Sequence, residues 1–248
     1  MFKILKILLK KITEMNIKIK KVLPKVIIKI YHNISVYLKY KNKTTQEIFT
    51  TIYNDNHWKS SESISGGGSE LEQTKLVIKE INIILKSYSI KSILDIPCGD
   101  FNWMRFVDLA ETKYIGADIV DKLILNNSNS YSINNKIDFK VINLITDKLP
   151  KVDLVITRDC LVHLSFKDIF ASIANIKNSG SKYLLTTTFT NRHNNVDIIT
   201  GSWRTLNLEI APFNFPKPIA LFIENCTEDN GNFSDKAMAL YNIEDIKN

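Results

Sequence analysis

The sequence predicts an α/β fold, a seven-stranded mixed sheet with helices on both faces. Three observations carry this. Between positions 91 and 189, short apolar runs alternate with helical stretches of ten or so residues, the rhythm of βαβ units around a parallel sheet. Beyond Phe189 the rhythm stops, and two strand-like runs, 219–226 and 236–243, lie too close together to enclose a helix, so they read as an antiparallel pair at one side of the sheet. Polar residues also gather at the carboxyl ends of four successive strands, where open α/β sheets place their ligands.

Taken in order, residues 45–55 form a short helix, followed by the turn-rich S-S-E-S-I-S-G-G-G-S at 60–69. A helical period returns from Glu70 to Ser87, with Ser69 and Glu72 spaced as a capping box. Strands are expected at 91–96, 113–118, 137–143, 152–158 and 182–189, and helices at 101–109, 119–127 and 166–177. A polar loop, 190–205, and the proline-rich P-F-N-F-P-K-P at 212–218 lead into the final pair.

The formal charge of +7 is unevenly spread over the 248 residues. Residues 1–43 hold 12 lysines and one acid, whereas 44–248 carry a net −4, so the chain divides into a basic extension and an acidic body. A nucleic-acid-binding body is therefore not implied by the basic average. Residues 2–15 place Ile4, Leu5, Leu8, Leu9, Ile12 and Met15 on one side of a helix and lysines on the other. Lysines interrupt every apolar run, which fits neither a secretory signal nor a membrane span. This basic amphipathic helix suits peripheral contact with an anionic membrane surface; it equally suits packing on the domain or on a partner. Three scattered cysteines, Cys98, Cys160 and Cys226, form no C-x-x-C pair and point to a reducing, cytoplasmic setting. No histidine stands at a metal-ligand spacing from another.

The strand ends hold the candidate chemistry. After the first strand comes D-I-P-C-G-D-F, 95–101; after the second, Asp118; after the third, Asn143; after the fourth, R-D-C-L-V-H-L, 158–164. A lone acid at a turn means little, but this set in register resembles the S-adenosylmethionine-dependent methyltransferases of the Rossmann-like class over residues 60–245. The resemblance implies a seven-stranded Rossmann-like fold with an antiparallel last strand, S-adenosylmethionine as cofactor, and methyl transfer to an O or N acceptor. It places Asp95, Pro97, Gly99 and Asp100 in the family's first motif, Asp118 on the ribose, Asn143 near the adenine and Arg158 in the fourth-strand motif. D-x-P-C-G-D-F-x-W, with S-G-G-G-S upstream, is similar to a bacterial branch of that class. Where the family commonly has glycines, this chain has Pro97 and Phe101; proline fixes φ and phenylalanine forbids close backbone approach. That departure sustains an alternative, a degenerate cofactor-binding scaffold tethered to a membrane-associated assembly.

Asp159 and His163 lie four residues apart and would share a face of a helical turn, where either could be the general base for a hydroxyl acceptor. The bland reading is that Asp159 caps and His163 fills a gap. Trp58, Arg192, Asn195, Trp203 and Arg204 fall on the connections around the rim, and indole faces with Arg and Asn would suit a sugar or a charged small molecule. The three glycines at 66–68 suggest either a loop closing over the cofactor or a linker. No G-x-G-x-x-G follows the first strand and no G-K-[ST] follows the glycines, which argues against dinucleotide and P-loop sites. The adenine-methylase signature N/D-P-P-Y/W/F is absent and the body is slightly acidic, so a small-molecule or surface-glycan acceptor is favoured over nucleic acid.

Overall fold

The computed structural model describes residues 34–109, 111–132 and 136–247. The chain divides into two units, Met1–Thr44 and Thr45–Asn248. In the first, residues 34–40 are helical; the amphipathic stretch 2–15 lies outside the described residues. Among the described residues no helix is long and apolar enough to cross a membrane.

The second unit opens with α1 (Thr45–Asn54) and α2 (Leu71–Ser87), followed by β1 (Ser92–Asp95), β2 (Lys113–Asp118), α3 (Asp121–Tyr131), β3 (Ile137–Val141), β4 (Leu154–Thr157), α4 (Phe166–Asn178), β5 (Tyr183–Phe189), β6 (Ala220–Ile223) and β7 (Lys236–Asn242). They build one seven-stranded sheet in the order β3-β2-β1-β4-β5-β7-β6. Strands β1 to β5 run parallel, and β7 slots antiparallel between β5 and β6. The expected mixed sheet and its antiparallel pair are as observed.

Alternate residues of the central strands feed two cores. Leu94, Val155 and Leu184 pack on one face with Ile169, Ile173 and Ile176 of α4. Ile93, Leu154, Ile156 and Leu185 pack on the other with Val77, Ile81 and Ile84 of α2. Both faces are covered, which is why these strands read as unbroken apolar runs rather than as alternating ones.

Two local expectations fail. Residues 101–109 form only a 3-10 turn at Met104–Phe106. Phe101 sits at φ 59° and leads out of an αR path. The apolar spacing that looked helical instead buries Phe101, Trp103, Met104, Val107 and Leu109 from an irregular loop. Nor does Ser69 cap α2. It belongs to a 3-10 turn, Gly67–Ser69, and Glu70 occupies the N-cap with no side-chain bond. Glu62 caps from outside the helix, accepting the Leu71 N–H at 2.8 Å.

Candidate active site

The carboxyl ends of β1, β2, β3 and β4 border one cleft, partly open to solvent. Because β1 lies between β2 and β4, Asp118 marks one flank, the turn after β1 the middle, and residues 158–163 the other flank. Two strand spacings, roughly 10 Å, separate the flanks.

The central turn is pinned from three sides. Cys98 N–H donates to the Ala117 carbonyl at 2.8 Å. Asn127 of α3 donates to the Gly99 carbonyl at 2.7 Å. Ser65 Oγ accepts the Asp100 N–H at 3.2 Å. Gly99 has φ 55°, and an added Cβ would collide with Ser65 Oγ, so both conformation and space require glycine. Pro97 lines the cleft beside it, joined to Ile96 by a cis peptide. Phe101 does not line the cleft. It turns into an aromatic cluster with Tyr114, Tyr131 and Phe139 at centroid distances of 5.2 Å. The feared obstruction at the last glycine position is thereby removed, since Phe101 itself adopts the left-handed backbone.

The acids divide by role. Asp118 is buried on the cleft wall, and its Oδ1 accepts the Val120 N–H at 3.0 Å. Burial pushes its pKa up to about 6 against the pull of backbone amides at Val120, Gly99 and Ile119. Asp95, which the resemblance places in the first motif, is not among the residues lining the cleft. It is 1% exposed and accepts from Tyr114 Oη at 2.7 Å, and burial raises its pKa to about 7. Asp100 lines the cleft, but its carboxylate is spent on the upstream segment, taking Ser63 Oγ and the Ile64 N–H at 3.0 Å each. Asn143 also lines the cleft, while its Oδ1 closes a turn onto the Ile145 N–H at 2.9 Å; only its Nδ2 carries no hydrogen bond among the described residues.

The far flank contains a buried quartet that local sequence does not announce. Arg158 holds Glu224 through Nη2–Oε2 at 2.7 Å and Nε–Oε1 at 3.3 Å, and Nη2 also reaches the Gly68 carbonyl at 2.8 Å. Lys236 Nζ bonds Asp159 Oδ2 at 2.6 Å and lies 3.5 Å from Glu224. Burial would discharge both cations, but the carboxylates outweigh it and raise their pKa values. Arg158 also lines the cleft, with its guanidinium committed to Glu224 and the Gly68 carbonyl. Asp159 is fixed at φ 51° by its N–H on Thr187 Oγ1 at 2.8 Å. Burial would raise its pKa, yet Lys236 and Arg158 prevail and hold it at about 2. A carboxylate so held is a poor proton acceptor near neutrality, so Asp159 does not suit the role of general base.

His163 suits it better. It closes the 3-10 turn Leu161–His163 and lines the cleft. Its Nδ1 lies 2.8 Å from the Ser202 carbonyl, which can only accept, so Nδ1 carries the proton and Nε2 presents a lone pair. Burial lowers its pKa, keeping the ring neutral.

The glycine run is packed on both sides rather than free. Gly66, at φ 98°, admits Trp58, and a Cβ there would lie 3.0 Å from Trp58 Cβ. Gly67 and Gly68 would each meet a Glu228 oxygen at 3.1 Å. The run is a spacer between the Trp58 side chain and the charged quartet, and that packing is unlike a free linker. Of the five rim residues expected to face an acceptor, only Trp58 lines the cleft. Arg192 pairs with Asp235 at 2.5 Å. Asn195 and Arg204 brace neighbouring carbonyls. Trp203 packs on Phe233. Sequence reasoning missed Glu224, Lys236, Glu228 and Asn127. One signal existed: an arginine directly after a wholly buried strand demands an acid from elsewhere. No group of His, Cys, Asp and Glu among the described residues could hold a metal ion.

No protein-family model and no curated protein matches the chain. Solved structures do match. Magnesium protoporphyrin IX methyltransferase from Synechocystis PCC 6803, with bound SAM, aligns with a TM-score of 0.56 at 14% identity over 79% of this chain and 96% of that one. Human N-acetylserotonin methyltransferase, in complex with SAM, gives 0.57 at 13% identity over 83% of this chain and 61% of that one. The methyltransferase domain of a bacterial Hen1 gives 0.52 at 14% identity over 70% and 100%. The fold is therefore that of the Rossmann-like methyltransferases.

Proposed function

We propose that this chain binds S-adenosylmethionine in the cleft and transfers its methyl group to an O or N acceptor carried by a small molecule or a surface glycan. The observation that supports this most is Asp118, a buried carboxylate at the end of β2 that faces a deep cleft in a fold shared with S-adenosylmethionine-bound enzymes.

The residues present suit the group. Asp118 would accept from the ribose hydroxyls, as an ionised carboxylate with oxygen lone pairs to spare can. Ile119, Leu123, Ile142 and Leu144 line that flank with apolar surface suited to a flat base, next to Asn143 Nδ2. Pro97 and Gly99 would border the amino-acid end, where the tight turn brings backbone to the cleft. When bound, the sulfonium supplies an electrophilic methyl carbon. The chain's own work is to hold the acceptor in line with that carbon and to take its proton. His163 Nε2 would take the proton. Trp58 and the glycine run would help exclude water from that flank.

Calorimetric titration with S-adenosylmethionine and S-adenosylhomocysteine tests the binding, and release of S-adenosylhomocysteine from mixtures with acceptors tests turnover. His163→Ala should leave cofactor affinity intact and lower kcat by roughly 10²–10⁴-fold. Preference for NAD over S-adenosylmethionine would overturn the reading; cofactor binding without turnover on any acceptor would favour the scaffold.

A further inference from the structure

We infer that Trp58, His163 and Asp159 form the acceptor subsite, and that it takes a neutral, polyhydroxylated ring such as a pyranoside, methylated on oxygen. This rests on the methyltransferase reading and adds the acceptor's class to it.

Placement comes first. With the nucleoside on the β2 flank, the β4 flank is left for the acceptor, and Trp58 meets His163 there with ring centroids 5.5 Å apart and planes tilted by 53°. Trp58 is 37% exposed although its Cβ is clamped against Gly66, so a held indole presents free surface at the cleft. A large flat apolar body fixed in this way is a platform for a ring.

Charge then narrows the class. The cations of this flank, Arg158 and Lys236, are each committed to Glu224 and Asp159. Glu228 adds further negative charge beside Gly68. Among the residues lining the cleft, Arg158 is the only lysine or arginine, and its charge is already paired, so an anionic acceptor would meet no uncompensated cation there. Polar capacity remains, though. Asp159 Oδ1, His163 Nε2 and Ser69 Oγ carry no hydrogen bond among the described residues, and all three residues line the cleft. Two of these atoms only accept, matching a ligand that offers several hydroxyl donors; a phenol would use one of them. Asp159, ionised and fixed by Lys236, is suited to accept from a neighbouring hydroxyl while His163 takes the reacting proton.

An O acceptor also fits the base better than an amine does. A neutral amine can lose its proton after transfer, whereas an alcohol needs a base in the transition state. The acceptor oxygen forms its bond to the methyl carbon as the carbon–sulfur bond breaks. Its proton passes to His163 Nε2, and the sulfur leaves as a neutral thioether.

The test uses saturation-transfer NMR of the methyl glycosides of glucose, galactose and N-acetylglucosamine, with glucose 6-phosphate and methyl glucuronide as charged counterparts. It is run on the full chain with and without S-adenosylhomocysteine. At least one neutral glycoside should bind, and Trp58→Ala should weaken it tenfold or more. Trp58→Phe should restore part of that, and S-adenosylhomocysteine affinity should stay within twofold in both variants. In turnover the Trp58 effect should fall on the acceptor KM rather than on kcat. Binding of none of the neutral glycosides, preference for the charged ones, or equal binding by Trp58→Ala overturns the subsite. Absence of S-adenosylhomocysteine binding instead overturns the methyltransferase reading, because the glycoside arm is read without it.

Discussion

Removing the Glu224 carboxylate should unlock the far flank of the cleft. Glu224 is 3% exposed overall and faces two cations, Arg158 through two hydrogen bonds and Lys236 at 3.5 Å. In Glu224→Ala those two buried cations would keep Asp159 as their directly paired carboxylate, with Glu228 acting on Arg158 from farther off. Deleting one partner of a buried pair costs about 3–5 kcal/mol, because the remaining charge keeps its desolvation penalty. In a chain of this size each kcal/mol lowers Tm by about 2–4 °C, so the loss should be about 6–20 °C by differential scanning calorimetry. Glu224→Gln keeps the shape and one acceptor oxygen and should lose less. The double variant Arg158→Leu, Glu224→Leu should recover most of the stability, since well-packed apolar replacements of a buried pair are often neutral. It should still leave the Gly68 carbonyl without its donor, and the 66–69 segment more open to proteolysis than in the wild type. A loss below about 1 kcal/mol for Glu224→Ala, the value of an exposed pair, would refute the assignment of a desolvated quartet.

Three other outcomes are expected. Asp118→Ala should weaken S-adenosylmethionine binding by about 1.5–3 kcal/mol per charge-assisted bond lost. Because burial sets the Asp118 pKa at about 6, wild-type affinity should be level above neutrality and fall as the pH drops through 6, where the carboxylate gains the proton that blocks acceptance. Asp118→Asn should abolish that dependence, and titrations from pH 5 to 8 check both. Gly99→Ala should cost at least about 1–2 kcal/mol for the left-handed backbone, plus the Ser65–Asp100 bond it displaces, as read by urea unfolding. A chain beginning at Thr45 should keep cofactor binding but no longer co-sediment with anionic vesicles at low salt, since each lysine near such a surface contributes about 1 kcal/mol.

The central strand runs were legible because both faces of the sheet are buried there, which writes those strands as unbroken runs without charged residues, such as L-V-I-T and Y-L-L-T-T-T-F. The position of the cleft followed from which residues end those strands. What failed was whatever depends on partners distant in the chain. Glu62 caps α2 from nine residues upstream. Arg158 finds its acid 66 residues away. The Gly67–Gly68 spacing answers to Glu228. Residues 101–109 misled for a different reason. Apolar residues at helical intervals record burial, and a loop wedged into the core satisfies the same pattern with a single 3-10 turn.

The placement of β7 between β5 and β6 has a consequence for the order of assembly. During synthesis β6 emerges with no strand to pair with, because its sheet neighbour, β7, follows it in the chain. Until residue 236 has appeared, the nascent chain carries Asp159 without its lysine and β5 with an open edge. The strands bearing the recognisable motifs can associate by then, yet one wall of the cleft is incomplete. Loop closure across so long a separation is slow relative to local pairing. Ribosome-bound chains arrested before β7 should therefore hold a half-built pocket and an adhesive sheet edge, the state in which an escort protein would be needed.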